Sequence, residues 1–81
     1  MTSTDERLRR CFEIGFPELS ADHIASASVE TVAEWDSLRT VILVALVEET
    51  FAIRIPSRDY PELRSYGGLR DYLRSAEDDA D

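Results

Sequence analysis

Trp35-Asp36-Ser37-Leu38-Arg39-Thr40-Val41-Ile42-Leu43-Val44-Ala45-Leu46-Val47-Glu48-Glu49-Thr50-Phe51 is the stretch on which the fold turns. From Arg39 to Phe51 it holds neither Gly nor Pro, and Asp36 can cap a helix by accepting a free first-turn N–H. A principal helix is expected here. A strand competes, because Val41 to Val47 is rich in β-branched residues and an unbroken apolar run has no period that separates the two; length and capping favour helix. On that helix Thr40, Leu43, Val44, Val47 and Phe51 share one buried face, while Leu38, Val41, Ile42 and Ala45 fall towards the other side. Two readings of the second set stand. The helix is buried all round, or this surface meets a partner or a cargo; a domain this small has little left to shield it, which favours the second.

Towards the N-terminus, Ser3-Thr4-Asp5-Glu6 has the form of a capping box, and Leu8, Cys11 and Phe12 follow at helical spacing with Arg7, Arg9, Arg10 and Glu13 towards water. Gly15 and Pro17 end that first helix. From Phe16 to Glu34 no period is sustained, so a long loop is expected, with a short helical turn near Ser20 to Ile24 and single apolar residues at Leu19, Ile24, Val29 and Val32. Either those residues pack over the core or the loop has a functional role. Towards the C-terminus, Ile53 to Pro56 is extended because the residue before proline avoids helical angles. Ser57 is placed to cap a short third helix, which Pro61 keeps short. Ser65 caps a last helix whose Tyr66, Leu69, Tyr72 and Leu73 face the core in spite of Gly67 and Gly68. The domain is expected to span residues 1–74. Residues 75–81 carry Glu77, Asp78, Asp79 and Asp81 and no core former, so they read as a disordered acidic tail.

The 81 residues are enough for one small domain. Seventeen acidic residues against nine Arg leave a net charge of -8, which disfavours nucleic acid and anionic membranes as partners. A hydrophobic fraction of 43% suffices for a packed core. The single Cys11 cannot form an internal disulfide, which fits a reduced, cytoplasmic setting. The first residues are charged and lack the apolar stretch of a signal peptide, so export is not expected. The apolar run from Val41 to Val47 is far below the roughly 20 residues that a membrane-spanning helix needs.

At Asp36-Ser37-Leu38, followed by Val41, Leu43, Val44, Glu48-Glu49-Thr50-Phe51 and Ile55-Pro56, the chain resembles the acyl carrier proteins. The likeness extends over most of the chain, from the capped first helix and the long loop to Asp71-Tyr72-Leu73. It implies an all-α, four-helix bundle in which the Asp-Ser-Leu tripeptide opens the second helix and the long first loop crosses the bundle. It also implies that Ser37 accepts 4'-phosphopantetheine from coenzyme A through a separate, magnesium-dependent phosphopantetheinyl transferase, and that the arm's thiol then holds an acyl group as a thioester. Asp36 would be a recognition residue for the transferase. Leu38, Val41, Ile42 and Ala45, with Glu48 and Glu49, would form the surface gripped by enzymes that load, transfer or condense the acyl group.

Two positions depart from carriers of primary fatty acid synthesis: Arg39 and Ile42 stand where those carriers usually have acids. Polyketide or other specialised biosynthesis is therefore favoured, with more apolar contact and less charge steering. Trp35 before Asp36 looks like the form seen in many small freestanding carriers, and serves equally as an apolar anchor over the loop. The carrier is expected to be a monomer and not an enzyme. The alternative is a carrier-like interaction module that uses the same helix and never receives the arm. His23 stands alone without partners at metal-ligand spacing, and Cys11 reads as a small buried hydrophobe.

Overall fold

The computed structural model describes residues 3–79. In chain order these form α1 (Thr4–Gly15), α2 (Ala21–Ile24), α3 (Ser37–Phe51), a 3₁₀ helix (Ser57–Glu62) and α4 (Tyr66–Asp79). Among the described residues there is no strand, only an isolated bridge between Ser28 and Ser65. The chain is all-α.

Ser3 begins α1 as its spacing predicts: the Ser3 hydroxyl accepts from the Glu6 N–H at 3.2 Å, and Leu8, Cys11 and Phe12 are buried. Arg7 and Arg9 are half-buried instead of pointing to water. Their stems lie along apolar surface, with the Arg7 guanidinium 4.4 Å from the Phe51 ring centre and that of Arg9 5.9 Å from the Tyr66 ring centre. α1 and α3 run antiparallel. Arg7 donates to the Thr50 carbonyl and Cys11 to the Thr50 hydroxyl, while Gly15, at the other end of α1, faces Leu43 and Leu46.

The long loop packs over the core, burying Phe16, Ile24, Ala27, Val32 and Trp35, with Leu19 and Val29 half-buried against them. Phe12 is the hub, with ring centres of Phe16, Trp35 and Tyr66 at 5.8, 5.5 and 5.3 Å. Two backbone bonds dock the loop on the segment before α4: Val29 N–H to the Arg64 carbonyl and Tyr66 N–H to the Ala27 carbonyl, both 2.9 Å. The loop's length therefore follows from packing.

α3 ends at Ala52, whose φ of 55° is left-handed, and the Ile53 N–H reaches back to the Glu48 carbonyl at 3.2 Å. The third helix differs from expectation. Ser57 is its first residue and not its cap, Pro56 stands at the cap without a side-chain bond, and the element is 3₁₀. Pro61 is the cause, since a proline inside a regular α-turn has no N–H and crowds the carbonyl four residues back.

α4 is capped by Ser65, whose hydroxyl accepts from the Gly68 N–H at 3.0 Å. Its Tyr66 hydroxyl donates to Asp5 Oδ1 at 2.9 Å, and Asp5 also pairs with Arg74 at 3.1 Å. α4 continues to Asp79, past Arg74, where the sequence ended the domain; Ala80 and Asp81 of the expected tail lie outside the described residues. Ser75, Ala76 and Glu77 carry no breaker, so a helix held by Tyr66, Leu69 and Leu73 propagates through them.

The two glycines of α4 have different reasons. A Cβ on Gly68 would lie 2.5 Å from the Glu62 carbonyl oxygen, whereas one on Gly67 would meet only the Arg70 guanidinium at 4.0 Å. Gly67→Ala should raise stability by about 0.5–1 kcal/mol through helix propensity. Gly68→Ala should lower it by about 1–3 kcal/mol, because the 3₁₀ backbone must shift. Urea denaturation of both variants distinguishes the two effects.

Alkali should also loosen this region. Burial, then the bonds to Asp5 and Asp59, push the Tyr66 and Tyr72 hydroxyls up to about 12. Both are acids whose neutral form the fold favours, so their contribution is present below pH 10 and is lost as pH rises from 10 to 12. Phenolate absorbance at both residues should therefore appear late and coincide with loss of helical circular dichroism. Early, non-cooperative titration of Tyr66 and Tyr72 in folded protein would contradict this.

Candidate functional site

The site is the head of α3. Asp36 is extended (φ -105°, ψ -170°), and its Oδ1 accepts from the Arg39 N–H at 2.9 Å. Its carbonyl accepts both the Thr40 N–H and the Thr40 hydroxyl at 2.9 Å. The Trp35 indole N–H donates to that same Thr40 hydroxyl at 3.0 Å, and Trp35 is only 4% exposed. Trp35 thus anchors the turn that precedes Ser37. With Asp36 serving as the cap, Ser37 is released from that role: it is exposed, and no hydrogen bond from another described residue engages its hydroxyl. The free amides of the first turn and the positive end of the helix dipole lie beside it.

Arg39, which on sequence breaks the acidic character of this end, is tied down. Its guanidinium makes two bonds to the Glu18 carboxylate, 3.1 and 3.0 Å, donates to the Gly15 carbonyl at 2.9 Å and lies over the Phe16 ring at 5.3 Å. The pair raises the Arg39 pKa and holds the Glu18 carboxyl below its ordinary value. The cation secures the start of α3 to the end of α1.

On one flank of Ser37 an open cleft of about 650 Å³ separates α3 from the 3₁₀ helix, with Trp35, Ser37 and Thr40 on one wall and Ser57, Tyr60 and Leu63 on the other. On the other flank is the apolar face. Leu38 is 67% exposed, Val41 53% and Ile42 41%, and Ala45 is exposed with them. The reading of α3 as a helix buried all round is therefore incorrect. Only Leu43, Val44 and Val47 are buried on it, and Thr40 and Phe51, assigned to the same face, are half-buried.

Glu48 and Glu49, expected together on the partner surface, separate. Glu49 is exposed, but Glu48 is half-buried and its Oε2 accepts the Ile55 N–H at 2.7 Å, fastening the turn after α3. Ile14, on α1, is 60% exposed and was not singled out from the sequence. The available signal was an isoleucine off the Leu8, Cys11 and Phe12 stripe. Elsewhere, His23 Nδ1 is bonded to the Ser20 hydroxyl at 2.9 Å, and burial raises the Cys11 thiol pKa.

No protein-family model matches the chain, and no curated protein matches it either. No described helix is long and apolar enough to cross a membrane. Chemically, the head of α3 offers one unencumbered hydroxyl at a rigid, anion-favouring helix start, set between a cleft and an exposed apolar surface.

Proposed function

We propose that this chain is an acyl carrier that receives 4'-phosphopantetheine on Ser37 and presents an acyl group to partner enzymes, in polyketide or other specialised biosynthesis. The observation that carries this reading is the exposed Ser37 hydroxyl at a helix start whose capping is done by its neighbour Asp36. When attached, the arm supplies a thiol that holds the acyl group as an activated thioester. The chain's own residues do the rest. First-turn amides favour the phosphodiester at Ser37. Asp36 is exposed beside it for recognition by the transferase, and Leu38, Val41, Ile42 and Ala45 form the apolar contact surface. On this reading α1, α3, the 3₁₀ helix and α4 are taken as the four carrier helices, and α2 as a turn in the long loop. With Arg39 bound to Glu18 and Ile42 exposed, docking at this end relies on apolar contact more than on a continuous acidic strip.

Incubation with coenzyme A, magnesium and a broad-specificity phosphopantetheinyl transferase tests the reading by intact mass. A gain of one phosphopantetheine per chain supports it. No gain, under conditions that load a control carrier, supports instead a carrier-like docking module that is never modified.

A further inference from the structure

The four large hydrophobic side chains exposed among the described residues are Ile14, Leu38, Val41 and Ile42, and three of them are on α3. The fourth lies on the same side of the molecule. Arg7 reaches Thr50 and Phe51 at the outer edge of the contact between α1 and α3, and Ile14 follows Arg7 by seven residues, so it shares that edge. Gly15 faces Leu43 and Leu46, and its carbonyl meets Arg39, which sets Ile14 level with the middle of α3. Half-buried Leu46 is one turn from Ile42 on α3 and faces Gly15, the neighbour of Ile14, so helical spacing carries the apolar surface from α3 towards α1. By helix rise and interaxial spacing Ile14 is on the order of 15 Å from Ser37. An enzyme covering about 800 Å² around that serine, a disc of roughly 16 Å radius, reaches it.

Charges around this surface are divided. Asp36 and Glu49 are exposed on the α3 side, Arg10 is exposed on α1 one turn before Ile14 with exposed Glu6 and Glu13 one turn to either side of it, and Arg39 is neutralised by Glu18. We infer that Ile14 extends the docking face onto α1, so that the transferase acting on Ser37 straddles both helices with an apolar surface edged by basic groups over Asp36 and Glu49 and by a carboxylate over Arg10. This rests on the carrier reading.

Steady-state transferase kinetics with coenzyme A and the full-length chain test it. Ile14→Glu should raise the KM for the carrier about tenfold, the size of a moderate interface anchor, with kcat within about twofold because Ile14 is remote from the reacting hydroxyl. Arg10→Glu should raise KM about threefold at low salt and less at high salt. Ala25→Glu, across α1 where Arg9 meets the Ala21 carbonyl, should change neither constant. Circular dichroism confirms folding of each variant, and Ile14→Ser replaces Ile14→Glu if the latter unfolds. A KM for the Ile14 variant within twofold of wild type, while Leu38→Glu raises it, overturns the inference and leaves the carrier reading intact. An equal rise in Ala25→Glu overturns it too. Failure of the wild-type chain to load overturns both.

Discussion

Ser37→Ala should take up no phosphopantetheine from coenzyme A while remaining as stable as the wild-type chain. The first half follows from the proposed reaction, in which the hydroxyl oxygen is the nucleophile for the phosphoryl group; alanine has none. The second half follows from geometry. A serine that caps a helix costs about 1 kcal/mol when replaced by alanine, but here the bond to the first-turn N–H comes from Asp36. Ser37 is already inside α3, exposed and without a bonded partner among the described residues, so a good helix former in its place should shift stability by less than about 0.5 kcal/mol. Intact mass after transferase treatment and a thermal melt measure the two halves on one sample. A large loss of stability would return Ser37 to a structural role. Retained loading would move the attachment elsewhere.

Phe12→Ala is expected to be the most destabilising single truncation of the core. Phe12 is fully buried and its ring meets those of Phe16, Trp35 and Tyr66, which belong to the long loop and to α4. Removing it deletes an aromatic contact that joins α1 to both, at a cost of about 3–5 kcal/mol. Domains of this length have total stabilities of about 4–12 kcal/mol, so a large part of the margin is lost. Urea denaturation followed by Trp35 fluorescence should show a much lower midpoint, or a chain largely unfolded without denaturant. Leu38→Ala, two-thirds exposed, should move the midpoint hardly at all. The contrast separates apolar residues that hold the fold from apolar residues presented to a partner.

Much of this was legible in local pattern. Ser3 and Glu6 announce the start of α1, Asp36 that of α3 and Ser65 that of α4, because a cap is made by residues within one turn of each other. The division of α3 into Leu43, Val44 and Val47 inside and Leu38, Val41 and Ile42 outside follows from its period and from the scarcity of chain to cover it. What escaped was carried by contacts made across turns and between elements, beyond the reach of one helical turn. The role of Glu48 depends on the Ile55 amide, that of Arg39 on Glu18 and the Gly15 carbonyl, and that of Gly68 on the nearness of Glu62. The end of α4 was missed for another reason. Residues 75–81 hold four acids and no core former and so read as tail, yet propagation from a packed helix carries α4 on to Asp79.

The central claim is that one hydroxyl at the head of α3 is the attachment point. Peptide mapping by mass spectrometry, after complete transferase reaction of the full-length chain, tests it most directly. The expected result is a single phosphopantetheine on the peptide containing Asp36, Ser37 and Leu38, localised to Ser37. An unmodified Ser37 peptide, in a reaction that fully loads a control carrier, would contradict it.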